Sequence, residues 1–128
     1  MPLIFNESVP GIAGVGVWHC TEPEEFFRSQ IVLDPKDEKI LSGIQNASHR
    51  LQWLGCRMVL VTLSGNREVR IRYDSLGKPG LFSSDLFISF SHSGSYAAAI
   101  VSDQAIPGID LEKIGDYLLA WALHKQIR

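Results

Sequence analysis

Gly65 divides this chain into two hydrophobic rhythms, and the division constrains the fold more than any other feature. Before it, from about Ala47 to Leu63, the apolar residues Leu51, Leu54, Met58 and Val61 recur at three- and four-residue steps. That spacing puts them on one stripe of an α-helix, and a glycine just past the last apolar position suits a helix C-terminus. After it, Val69, Ile71 and Tyr73 alternate with Arg70 and Arg72, the period-two pattern of a half-exposed strand. A chain that changes period in this way has to pack helices against a sheet.

The flanking segments extend the same reading. Val15, Val17 and Trp18 predict a short first strand. Thr21 followed by Glu24 has the form of a capping box, opening a short helix through Glu25, Phe26 and Phe27. Asp34 before Pro35 marks a second helix start, since proline fits the first turn, and that helix carries Ile40, Leu41 and Ile44. Residues 74–80, rich in glycine and proline, read as a loop. Leu86 to Phe90 reads as a strand and Ser91-His92-Ser93-Gly94-Ser95 as the turn leaving it. Tyr96 to Val101 is a continuous small and apolar run, the signature of a strand buried on both faces. Asp103-Gln104 then turns the chain into a strand over Ile109–Glu112, and a last amphipathic piece carries Ile114, Leu118, Leu119, Trp121 and Leu123. Helices first and strands later predict an α+β fold, with helices packed on one face of a mostly antiparallel sheet. A length of 128 residues suits one domain, 1–128.

On an extended segment, Asp110 and Glu112 project from the same face with Cα atoms roughly 6–7 Å apart. Two carboxylates side by side repel each other unless a cation lies between them, and hard oxygen ligands of that kind suit Mg²⁺. The competing reading is a solvated acidic strand end. Net charge is −2, so no chain-wide basic field draws the protein to nucleic acid or an anionic membrane. Any anion site is therefore a local cluster. Arg50 and Arg57, seven apart, share a helix face. Lys78 lies in a Gly-Lys-Pro loop, and Ser91-His92-Ser93-Gly94 offers hydroxyls, an imidazole and backbone N–H groups that could hold a phosphate. Taken singly, each has a plain structural alternative: a solvated helix face, a turn, a local hydrogen-bonder. Cys56 falls within the helical apolar pattern, so a buried free thiol is expected there rather than a disulfide with Cys20. The chain has no apolar stretch near the length of a membrane span and no basic-then-apolar leader, so no membrane partner is expected and a cytoplasmic location is.

In combination these segments resemble a known family. The order is His49-Arg50…Gly55-Cys56-Arg57, then Gly77-Lys78-Pro79, Ser91-His92-Ser93 and Gly108-Ile109-Asp110-Leu111-Glu112. It resembles the 4′-phosphopantetheinyl transferases of the surfactin-synthetase-activating type, most closely over residues 47–113. The resemblance implies transfer of the phosphopantetheine arm of coenzyme A to a serine of an acyl or peptidyl carrier protein, with release of 3′,5′-ADP. It further implies that Asp110 and Glu112 hold Mg²⁺ against the pyrophosphate of coenzyme A and that His92 and Ser91 contact its phosphates. Lys78 would engage the nucleotide end, and Arg57 and Arg50 would pair with the 3′-phosphate. On this basis Asp110, Glu112 and His92 are the expected catalytic residues.

Members of that family continue into a second, similarly folded half, which supplies a Trp-x-x-Lys-Glu element. After Glu112 only sixteen residues follow here, and Gln126 stands where the acid of that element would be needed. The resemblance thus implies one half of a pseudo-dimer, and self-association into a homodimer or higher oligomer is expected to cover the exposed face. The acid could come from a neighbouring subunit, from Asp116 or from water. Two functions from different classes follow: an active transferase, or a weak or inactive coenzyme A- or carrier-binding module, including one half of a heteromeric transferase. A serine hydrolase fits poorly, because adjacent Ser and His rarely meet as nucleophile and base and no Gly-x-Ser-x-Gly elbow is present.

Overall fold

The computed structural model describes residues 2–5, 12–73, 75–76, 79–81, 85–103, 113, 115–117 and 119–120. Along the described chain come β1 (Pro2–Phe5), β2 (Ile12–His19), α1 (Glu24–Gln30), α2 (Pro35–Ser42) and α3 (Ala47–Ser64). Four strands follow: β3 (Ile71–Tyr73), β4 (Pro79–Leu81), β5 (Phe87–Ser93) and β6 (Tyr96–Ser102). They form one six-stranded sheet in the order β1-β2-β6-β5-β4-β3, and every pairing in it is antiparallel. The fold is thus α+β, with helices packed against an antiparallel sheet. No described helix is long and apolar enough to cross a membrane.

Two helix signals act as the sequence predicts. The Asp34 side chain caps α2 by accepting the Asp37 N–H at 2.8 Å, with Pro35 in the first turn. Gly65 ends α3 in the left-handed region at φ 70°, its N–H donating to the Val61 carbonyl, a conformation that favours glycine. The capping box at Thr21 does not form. Pro23 stands at the N-cap of α1 with no side-chain cap hydrogen bond; Thr21 lies two residues ahead of it with its N–H donating to the His19 carbonyl, and the Glu24 carboxylate pairs with Arg28 and Arg50.

The strand layout also departs from expectation in three places. The expected first strand around Val15–Trp18 is β2, but a further strand, β1, precedes it, so two strands come before the helices. Pro79 and Gly80, expected in a loop, belong with Leu81 to β4, which pairs with Ile71–Tyr73. Ser91, His92 and Ser93, expected in a turn, continue β5 in register with Ala98, Ala97 and Tyr96. Only Gly94 and Ser95 remain to turn the chain, with Gly94 at φ 56°, and a two-residue hairpin loop with glycine first is a favoured geometry. The expected strand over Ile109–Glu112 lies outside the described residues.

Alternation along the sheet assigns its two faces. Trp18, Ile88, Ala97, Ala99 and Val101 join Phe27, Leu41, Leu54 and Leu60 in the main core, so α1, α2 and α3 cover this face. Val17, Tyr96 and Ala98 point the other way and pack with Leu119. Helical residues 115–117 and 119–120 therefore lie against the opposite face, which corrects the expectation that helices cover one face alone. As predicted, β6 is buried throughout, and its alanines let the layers approach closely. A Cβ at Gly55 would stand 3.0 Å from the Ala97 Cβ and 2.4 Å from the Cys20 Sγ.

Candidate anion-binding pocket

Where α3 passes over β5, the layers leave a pocket of about 470 Å³. Helix α3 contributes His49, Gln52, Trp53, Cys56 and Arg57, four of them one or two turns apart on one face. Strand β5 contributes Phe90 and His92, both even-numbered and so on the helix side of the sheet. Ile40 and Ile44, near the end of α2, and Tyr73 of β3 supply further walls. Most of the lining is apolar or aromatic, and its permanent charge is the Arg57 guanidinium.

Arg57 is 5% exposed, and the way it is held is unusual for a buried arginine. Its Nη2 donates to Asp37 Oδ1 at 3.4 Å, longer than the 2.7–2.9 Å typical of a charge-assisted hydrogen bond. Its Nε is buried with no acceptor among the described residues. Its guanidinium carbon lies 3.6 Å from the centroid of the Trp53 ring and 5.9 Å from that of Phe90. Burial lowers the Arg57 pKa from its ordinary value and Asp37 opposes the shift, yet an arginine keeps its proton at neutral pH. A buried N–H without an acceptor costs about 1–3 kcal/mol. The Arg57 side chain also lines the cavity, which places a positive charge at its wall.

Arg50, expected to act with Arg57, has a different role. Its Nε and Nη2 donate to the two carboxylate oxygens of Glu24 at 2.8 and 2.9 Å. Its Nη1 donates to the Leu41 and Ile44 carbonyls at 2.7 and 2.9 Å. It thereby ties the start of α1 and the end of α2 to α3. Arg50 and then Arg28 pull the Glu24 pKa down to about 2.

His92 and Ser91 are neighbours in sequence but point to opposite faces of the sheet. His92 reaches the pocket, while Ser91 Oγ donates to Asp116 Oδ1 at 3.3 Å on the far side. Asp116, considered as a substitute acid, is therefore on the side away from His92 and Arg57. Cys56 is buried between the layers, with its Sγ 3.7 Å from both the Ser91 and Ala98 carbonyl oxygens. It is a free thiol, as is Cys20. Burial, and secondarily the neighbouring Cys20, pushes the Cys56 pKa up to about 12.

Asp110, Glu112 and Lys78 lie outside the described residues. Among the described residues no group of three His, Cys, Asp or Glu side chains is placed to hold a metal ion. Trp53, Phe90, Tyr73 and Asp37 were not singled out from the sequence as site residues. The one local signal was Trp53 four positions before Arg57, one helical turn away; the others come from separate elements. Neither the protein-family models nor the curated proteins compared with this chain gave a match.

Proposed function

We propose that the chain transfers the 4′-phosphopantetheine arm of coenzyme A to a serine of an apo acyl or peptidyl carrier protein, with a phosphate of coenzyme A held in the Arg57 pocket. The observation that carries the reading is the buried Arg57 guanidinium, weakly hydrogen-bonded and facing a cavity that His92 also lines. The Gly-Lys-Pro, Ser-His-Ser and Gly-Ile-Asp-Leu-Glu segments, in that sequence along the chain, support it independently. In the reaction the carrier serine oxygen attacks the β-phosphorus of coenzyme A. The bond from that phosphorus to the oxygen shared with the nucleotide breaks, 3′,5′-ADP departs and the serine proton is released. Such a step depends mostly on positioning and charge neutralisation.

Arg57 would hold an oxyanion at the floor of the pocket, and His92 would approach it from β5 as a hydrogen-bond donor. Lys78 is assigned to the nucleotide end. Asp110 and Glu112 form a donor set of two hard carboxylates, the kind Mg²⁺ takes together with substrate phosphates. Bound there, the ion would supply charge neutralisation at the pyrophosphate.

Intact-mass spectrometry of an apo carrier protein incubated with the chain, coenzyme A and Mg²⁺ tests the proposal. A mass gain equal to the phosphopantetheine arm, lost with chelator and with Asp110→Ala/Glu112→Ala, is expected. Coenzyme A binding without transfer would favour the alternative of a binding module or one half of a heteromeric transferase. Neither binding nor transfer would overturn both.

A further inference from the structure

Arg50 and Arg57 lie two turns apart on one helix, and the structure uses them in opposite ways. Four hydrogen bonds of 2.7–2.9 Å fix the Arg50 guanidinium through its in-plane donors. Arg57 is more deeply buried, yet among the described residues it makes one long hydrogen bond and keeps an Nε with no acceptor. Its guanidinium carbon lies instead over the Trp53 ring, 3.6 Å from the ring centroid. The two means of holding an arginine differ in what they leave over. A carboxylate or carbonyl clamp occupies the N–H groups, whereas stacking on an indole engages the π-face and leaves the N–H edge unoccupied. Lysine has no planar face and cannot be held this way.

We infer that Trp53 is a positioning residue for the pocket, holding the Arg57 guanidinium by its face so that its in-plane donors are presented to an oxyanion. The inference rests on reading the pocket as a phosphate site and adds the residue that makes Arg57 competent there. Trp53 precedes Arg57 by one helical turn, so platform and cation share the rigid frame of α3. Phe90, 5.9 Å from the guanidinium carbon, adds a second aromatic neighbour from β5. Asp37 pairs with Arg57 from α2 through a single 3.4 Å contact to Nη2.

Isothermal titration with coenzyme A, and separately with 3′,5′-ADP, on the full chain tests the role. Arg57→Met is expected to weaken binding by about a hundredfold, as loss of a buried charge-assisted contact implies. Trp53→Leu is expected to weaken it about tenfold, in line with a desolvated cation–π contact, while Trp53→Phe restores most of the loss. In the Arg57→Met background Trp53→Leu is expected to add nothing, because Trp53 acts only through Arg57. Unchanged affinity in Trp53→Leu with loss in Arg57→Met overturns the positioning role and leaves the anion site standing. Additive losses in the double variant overturn it as well. No binding by the unmodified chain, or no effect of Arg57→Met, overturns the anion site itself. Should Trp53→Leu fail to fold, indole emission decides. The titration signal of the unmodified chain minus that of Trp53→Phe is expected to saturate with the calorimetric Kd, and a flat difference refutes the inference.

Discussion

Gly55→Ala offers a sharp test of the layer packing, because two known effects of opposite sign meet at one position. Alanine is a better helix former than glycine by about 1 kcal/mol in a helix interior, so α3 alone would gain. The structure opposes this, since the new methyl would lie 2.4 Å from Cys20 Sγ and 3.0 Å from Ala97 Cβ. Ordinary contacts lie near 3.5–4.0 Å, so the thiol would have to retreat by roughly 1 Å. Cys20 is a core residue at 6% exposure with its Sγ near the Trp18 carbonyl, which leaves it little room. Overpacking of this kind typically costs about 1–3 kcal/mol. With the helix gain subtracted, a net loss of up to about 2 kcal/mol is expected, read as a lowered urea midpoint at unchanged slope. Cys20→Ala removes the obstructing sulfur, so the Cys20→Ala/Gly55→Ala pair should recover part of the loss, with a favourable coupling of about 1 kcal/mol or more. A stabilised Gly55→Ala protein, or strictly additive effects in the double variant, would refute the close approach of α3 to β2 and β6.

Further expectations follow from single residues. The Glu24 pKa, drawn to about 2 by Arg50 and then Arg28, means that the folded carboxylate binds its proton less readily than the unfolded one. Its contribution is fully present above an unfolded value near 4.5 and is lost as pH falls from there toward 2; Glu24→Gln should therefore flatten the acid side of the stability profile, and an unchanged slope between pH 5 and 3 would count against the clamp. Cys20 and Cys56, both raised to about 12 with burial as the first cause, should resist a thiol reagent at pH 8 until the protein unfolds. Rapid labelling of the native protein would contradict their burial. Because Ser91 and His92 face opposite sides of β5, His92→Gln should weaken coenzyme A binding several-fold while Ser91→Ala leaves it within twofold; equal losses in calorimetry would mean the two side chains share a ligand.

The local signals survive in the structure because no distant residue competes for them. Asp34 caps the helix that follows it, Gly65 takes the left-handed conformation that its position requires, and the apolar run at β6 is buried on both faces. The signals that failed were outcompeted from far along the chain. Glu24 stands at the first position of α1 rather than three past its cap, and Arg50, 26 positions away, holds both of its oxygens. Pro79-Gly80 reads as a turn from composition, yet glycine is there because strands crowd it: a Cβ at Gly80 would lie 2.7 Å from the Leu86 carbonyl oxygen and 2.8 Å from Arg72 Cζ. Ser91 to Ser93 have turn-like composition, but pairing with β6 extends through them to Ser93↔Tyr96. For the site, Arg57 and His92 were legible as candidates. Their convergence on one pocket, and the different role of Arg50, depended on which helix face meets which strand, and single-residue chemistry does not carry that information.

That convergence has a consequence for how a ligand acts on the fold. Arg57 belongs to α3 and His92 to β5, so a phosphate reaching both would bridge the helical layer and the sheet rather than lie along one element. A ligand that binds only the native state stabilises it by mass action, about 2.7 kcal/mol at a hundredfold excess over Kd. The size of that effect says nothing about location, but its distribution does. Bridging should suppress local openings that separate α3 from β5, slowing hydrogen exchange over residues 47–64 and 87–93 together. Residues 115–117 and 119–120, against the opposite face, should open locally at their ligand-free rate. Amide exchange by mass spectrometry with and without saturating coenzyme A reads both regions in one experiment. Protection confined to 115–117 and 119–120, or to one layer alone, would show that the anion binds elsewhere and would remove Arg57 and His92 from a shared site.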